Sequence, residues 1–171
     1  MLSPDTHDRT PAWAERMGRA YADAALATLA ASAVVDADRL EVRRTEFDLP
    51  LVNPLLLMAQ QMGVLRVRQS VNGAITTSCT FINLGPAQII TIPGELLPRS
   101  GFAIKAAMPG PCKILVGLAD DEIGYILPDD EFVLPADYMN PGRQYEESMS
   151  LGPTTGSRIL AAAQGLIGDQ P

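Results

Sequence analysis

Apolar residues recur at helical spacing through Trp13, Met17, Tyr21, Ala24 and Leu29, which predicts a helix running to about Ser32. Thr10-Pro11 in front of it supplies a capping hydroxyl and a proline suited to the first helical position. The opposite side is alanine-rich and suits close packing. "RLEVRRTEFDLPL" alternates around Leu40, Val42 and Phe47 and reads as a strand. "NPLLLMAQQMG" reads as a short helix, capped by Asn53, opened by Pro54 and stopped by Gly63. "VLRVRQSVNGAITTSCTFINLG" predicts two strands around the hairpin pair Asn72-Gly73. "AQIITI" follows as a buried strand. "ELLPRSGFAIKAAM" reads as a helix whose first turn Pro98 disturbs. "KILVGLA" is a further apolar strand with the polar exit "DDEIGYILPDDEF". A loop-like stretch from Leu134 to Thr155 leads to a closing helix, "GSRILAAAQGLIG". The order predicts a mixed α/β fold, a partial β-sheet flanked by helices. No repeat or linker divides the chain, so 1–171 reads as a single domain.

Composition narrows the function classes. Hydrophobic residues make up 47% and charged ones 19% of 171 residues, a globular balance. The net charge of −7 argues against a nucleic-acid partner, since phosphate contacts need clustered Lys and Arg. The longest basic feature, "VRRTEF", is a strand with two arginines. Cys79 and Cys112 have no metal-type spacing and are expected to be buried free thiols. No apolar run reaches the ~18 residues of a membrane span. "MLSPDTHDRTP" has no signal-peptide core, which points to the cytoplasm unless the true N-terminus lies upstream.

Few side chains offer chemistry. "ADDE" at 119–122 and "PDDE" at 128–131 lack calcium-loop spacing and read as solvated acidic loops. His7, the sole histidine, sits in a polar N-terminal stretch and reads as a surface residue. Glu95 in "IITIPGELLP" has the simple reading of an acid in a first helical turn. Tyr125 could be a half-buried strand tyrosine. Both lie just past the ends of apolar strands, where ligands gather in open α/β sheets.

"TIPGE", "ILVGLADDEIGY" and "YEESMSLGPTTG", in that order, resemble the back half of the catalytic domain of neutral/alkaline ceramidases, which are zinc-dependent amidases. The resemblance implies that the chain is part of a larger ceramidase-like catalytic domain. It covers Ser3 to Ile167 and includes no immunoglobulin-like domain. It puts two zinc ligands on Glu95 and Tyr125, a carbonyl-polarising tyrosine on Tyr145, and the family's essential serine, through "MLSPD", on Ser3. No further cofactor-binding residue is implied. Asp5 and Asp120 stand where the family has Asn, and Thr154 where some members have His.

The family's two zinc-binding histidines lie upstream of the serine motif, and His7 lies downstream of Ser3. One carboxylate and one phenol would hold zinc weakly, and Ser3 without a base would be a poor nucleophile. The expectation is a chain that alone binds no zinc tightly and has negligible amidase activity. Met1 inside a motif points to one half of a split or mis-started gene, or to a fragment, ahead of a degenerate relative. An upstream-encoded partner half or a homo-oligomer is expected in either case, with a lipid amide substrate only if the site is completed. The alternative is a non-catalytic, oligomerising interaction domain derived from that family.

Overall fold

The computed structural model describes residues 9–37, 39–65 and 74–168. Asn72-Gly73 and residues 66–71 of the strand predicted before it lie outside the described residues, and Val64 and Leu65 at its start form a bend. The chain divides into two compact units, Leu2–Asp36 and Ala37–Pro171.

The first unit holds α1, Pro11–Ala30. Its start is the predicted one, with the Thr10 hydroxyl accepting from the Trp13 N–H at 3.2 Å and Pro11 opening the first turn. Arg16 lies 4.3 Å above the Trp13 ring, and Arg19 pairs with Glu15 one turn away at 2.7 Å. No residue of α1 is buried.

In the second unit the order is β1 (Leu40–Leu49), α2 (Pro54–Gln61), β2 (Ile75–Leu84), β3 (Ala87–Thr91), β4 (Glu95–Leu96), α3 (Pro98–Ala107), β5 (Cys112–Val116), β6 (Tyr125–Ile126), a 3-10 turn (Asp129–Glu131), α4 (Tyr145–Ser148) and α5 (Thr155–Gly168). The main sheet runs β1-β2-β3-β5, antiparallel across the first two pairs and parallel between β3 and β5. The crossover carrying α3 makes that parallel pair possible, because parallel neighbours need a long connection. β4 and β6 form a separate two-stranded parallel sheet.

Register sorts the sheet into two faces. The row Arg43–Phe81–Ile90–Leu115 crosses all four strands on the side that α3 and α5 cover. Phe81, Ile90, Ile92, Ile104, Met108, Ile159 and Ala163 form the fully buried centre there. Arg43 ends this row with its guanidinium over Phe81 at 5.0 Å and its side-chain nitrogens shielded without a hydrogen bond. The next row, Val42–Ile82–Ile89–Ile114, belongs to the opposite face. Val42 is 57% exposed there, and Ile114 and Val116 each 41%.

Three local expectations change. Glu95 is not in a helical turn but in β4, and Pro98 opens α3 instead of disturbing it. A proline at the first helical position loses no hydrogen bond, so the helix begins where the ring permits. Cys79 is buried as expected, but Cys112 is exposed, at the first residue of the edge strand β5. The stretch from Leu134 is loop-like but for the single turn of α4.

Candidate functional site

Where β3 ends, the chain is strapped to the segment that follows β5. Ile92 N–H donates to Val116 O, Ala119 N–H to Ile92 O, and Ile123 N–H to Pro93 O, at 2.8, 3.1 and 2.8 Å. Glu95 N–H then reaches Gly124 O at 2.9 Å, and Leu97 N–H reaches Ile126 O at 3.1 Å. The Pro-Gly-Glu glycine has a steric reason: a Cβ on Gly94 would stand 2.5 Å from Gly124 O. Only glycine lets the two backbones come this close.

That strap sets the register Glu95↔Tyr125. Both side chains are half-buried, and the register sets the Tyr125 phenol beside the Glu95 carboxylate. The Tyr125 phenol is pushed above its usual range, by partial burial first and then by the neighbouring Glu95 carboxylate, with Tyr145 and Glu146 adding to it. A third segment closes on the pair: Tyr125 N–H donates to Met149 O at 3.2 Å, just after α4. The exposed Tyr145 ring meets Tyr125 edge-on, with centroids 5.9 Å apart and planes at 71°. Glu95, Tyr125 and Tyr145 thus stand together. Ser3 and His7 lie outside the described residues.

The "ADD" acids are not simply solvated. The loop between β5 and β6 turns through two left-handed non-glycine residues, Leu118 (φ 51°) and Asp120 (φ 73°). Such residues are held by their surroundings. Here Asp120 Oδ2 accepts from the Thr80 and Thr91 hydroxyls, each at 2.7 Å, and Asp121 Oδ2 accepts from Thr77 at 3.1 Å. The loop fills the space beside β2 that β3 leaves when it ends at Thr91. The other acidic stretch is also engaged: Asp129 Oδ1 accepts from Ser157 N–H at the start of α5, and Asp130 and Glu131 pair with Arg99.

Among the described residues no group of three or more His, Cys, Asp and Glu could hold a metal ion. Glu95 and Tyr125 offer two oxygen donors, one fewer than a catalytic zinc usually takes from protein. They fit one side of a zinc site and do not make a whole one. Sequence reasoning saw Asn53 only as a helix cap, missed Glu146 as a neighbour of Tyr125 and read Asp120 as part of a solvated loop. A carboxylate close behind a tyrosine carries no periodic signal. Asp120 had one, since Asp is among the few residues that tolerate left-handed turns.

No protein-family model and no curated protein matches the sequence. Two of the solved structures similar to it are ceramidases. One, a ceramidase complexed with C2, is 17% identical over 57% of this chain and 16% of that one, with a TM-score of 0.44. The other, neutral ceramidase from Pseudomonas aeruginosa, is 13% identical over 78% of this chain and 29% of that one, with a TM-score of 0.48. The chain spans less than a third of the length of either structure.

Proposed function

We propose that the chain is the C-terminal portion of a ceramidase-like, zinc-dependent amidohydrolase that cleaves N-acyl amides such as ceramide into a fatty acid and a sphingoid base. The observation that supports this reading is the Glu95–Tyr125 pair, in register on neighbouring strands, with Tyr145 against it. These are the three positions among the described residues that the motif resemblance singles out.

In this reading Glu95 and Tyr125 are zinc donors, completed by histidines that this sequence does not contain. Zinc, when bound, would supply Lewis acidity and a water molecule with a pKa of ~7. The chain's own residues prepare one wall of that site. Glu95 contributes the negative charge, and the Tyr125 phenol stands beside it as the second oxygen donor. Tyr145 presents a phenol at the surface, from which it would donate a hydrogen bond to the amide carbonyl oxygen. Ser3 assists the attack on the amide. With two donors only, the chain alone binds no zinc tightly and has negligible amidase activity.

Complementation tests this reading. The purified chain is expected to carry no stoichiometric zinc by elemental analysis and to leave a fluorescent ceramide intact. Mixing it with the separately expressed upstream half of a neutral ceramidase catalytic domain should restore cleavage, and Glu95→Gln should abolish it. Stoichiometric zinc on the isolated chain would refute the incomplete site. An assembled pair that is inactive, or indifferent to Glu95→Gln, would refute the amidohydrolase.

The bare apolar sheet face favours a second reading, a non-catalytic domain that dimerises through Val42, Ile114 and Val116. The two readings separate on Glu95, which matters only to the first.

A further inference from the structure

Asn53 is only 2% exposed, and its side chain is fully used. Oδ1 accepts from Leu55 N–H at 2.9 Å and Leu56 N–H at 3.2 Å, which caps the start of α2. Nδ2 donates to Ser148 O at 2.8 Å and Ser150 O at 2.7 Å, 95 and 97 residues away. A primary amide has two donor hydrogens and an oxygen with two lone pairs, and here all four find partners. Its backbone joins in: Val52 and Asn53 N–H both donate to Leu151 O, at 3.0 and 3.1 Å.

The two carbonyls that Nδ2 binds close the segment bearing Tyr145. α4 has four residues, too few to hold a helical turn without outside support. Inside the segment, Met149 N–H and the Ser148 hydroxyl both donate to Tyr145 O, at 3.2 and 2.7 Å. Met149 O in turn accepts from Tyr125 N–H. One buried amide is thereby connected, through two short links, to the backbones of both site tyrosines.

We infer that Asn53 is the positioning residue that sets where Tyr145 stands against Tyr125 and Glu95, through the paired hydrogen bonds from its amide to Ser148 O and Ser150 O. The inference rests on the reading of these tyrosines as site residues. It assigns to a helix cap a second role that its local sequence does not reveal.

The cap and the positioning role are separable. Asn53→Asp keeps an oxygen for Leu55 and Leu56 but replaces the donors with a carboxylate oxygen aimed at two carbonyls. Asn53→Ser keeps a capping hydroxyl and is too short to reach them. Ser150→Ala is the control, because the Ser150 hydroxyl is buried without a hydrogen-bond partner and its loss breaks no bond. The readout is the 19F NMR spectrum of the full chain labelled with 3-fluorotyrosine. The chain has four tyrosines, so Tyr→Phe variants assign four lines.

In Asn53→Asp and Asn53→Ser the Tyr125 and Tyr145 lines should move while those of Tyr21 and Tyr138 stay in place. In Ser150→Ala all four should stay. A folded Asn53 variant with no line displaced would overturn the inference and leave Asn53 a cap of α2. Collapse of all four lines in both variants would overturn it too, making Asn53 a residue of general stability. The readout needs neither zinc nor turnover. Displaced lines beside an inactive complemented assembly would sink the amidase and spare Asn53's role, while an active assembly with unmoved lines would do the reverse.

Discussion

Gly124 stands at φ +89°, and a Cβ there would run into Met149 O. That is the point where the Tyr125 backbone meets the segment after α4. Gly124→Ala combines a disfavoured backbone angle with a backbone clash, and should cost about 2–5 kcal/mol in urea denaturation. Gly142→Ala, at φ +60° in open space, should cost only the backbone term. Cys79 and Cys112 differ as sharply. Burial, with a contribution from the negative charge of Asp120, pushes the Cys79 thiol from its ordinary 9.0 up to about 12. Iodoacetamide should therefore label Cys112 in the native protein and reach Cys79 only on unfolding. The raised value also sets a pH window. Below about 9 both folded and unfolded chains hold the proton; from there to about 12 only the unfolded chain releases it, so stability falls across that interval. The loss reaches at most about 4 kcal/mol, and Cys79→Ala should flatten this part of the alkaline limb of stability against pH.

Among the elements, the helices differ in what holds their ends. α1 and α2 carry their caps in the adjoining sequence, at Thr10 and Asn53, and both starts were legible there. The first turn of α5 instead receives a carboxylate from Asp129, 28 residues earlier. Asp129→Ala should destabilise the second unit by about 0.5–2 kcal/mol, read from the thermal midpoint. Asp130→Ala, whose carboxylate lies at the surface with Arg99, should change it little. β1 was readable from its alternation, and β3 from its short apolar run. The two-residue β4 and β6 were not readable, because each exists only through its partner.

For the second unit as a whole, the asymmetric sheet is the main consequence. α3 and α5 cover one face, and apolar side chains stand open on the other. If that face mediates self-association, the chain should sediment above monomer mass at micromolar concentration. The double substitution Val42→Glu/Ile114→Glu should return it to monomer with its fold intact, while Tyr138→Ser, in a loop, should not. A wild-type chain that stays monomeric at high concentration would remove the dimerising reading. No helix among the described residues is long and apolar enough to cross a membrane.

The sequence by itself determined the periodic elements, the mixed α/β class and the local caps. Those properties depend on neighbours within about one turn or one pleat, where side-chain type decides. Tertiary structure alone decided that Glu95 belongs to a strand, that Tyr125 and Tyr145 meet, that Cys112 is open, and that Asn53 grips a segment 95 residues away. Most of the contacts that assemble the site are hydrogen bonds to backbone groups, between Glu95 and Gly124, Tyr125 and Met149, Asn53 and Ser148. Nearly every residue carries those groups. They leave almost no mark on side-chain choice except where two backbones come too close for a Cβ, as at Gly94 and Gly124.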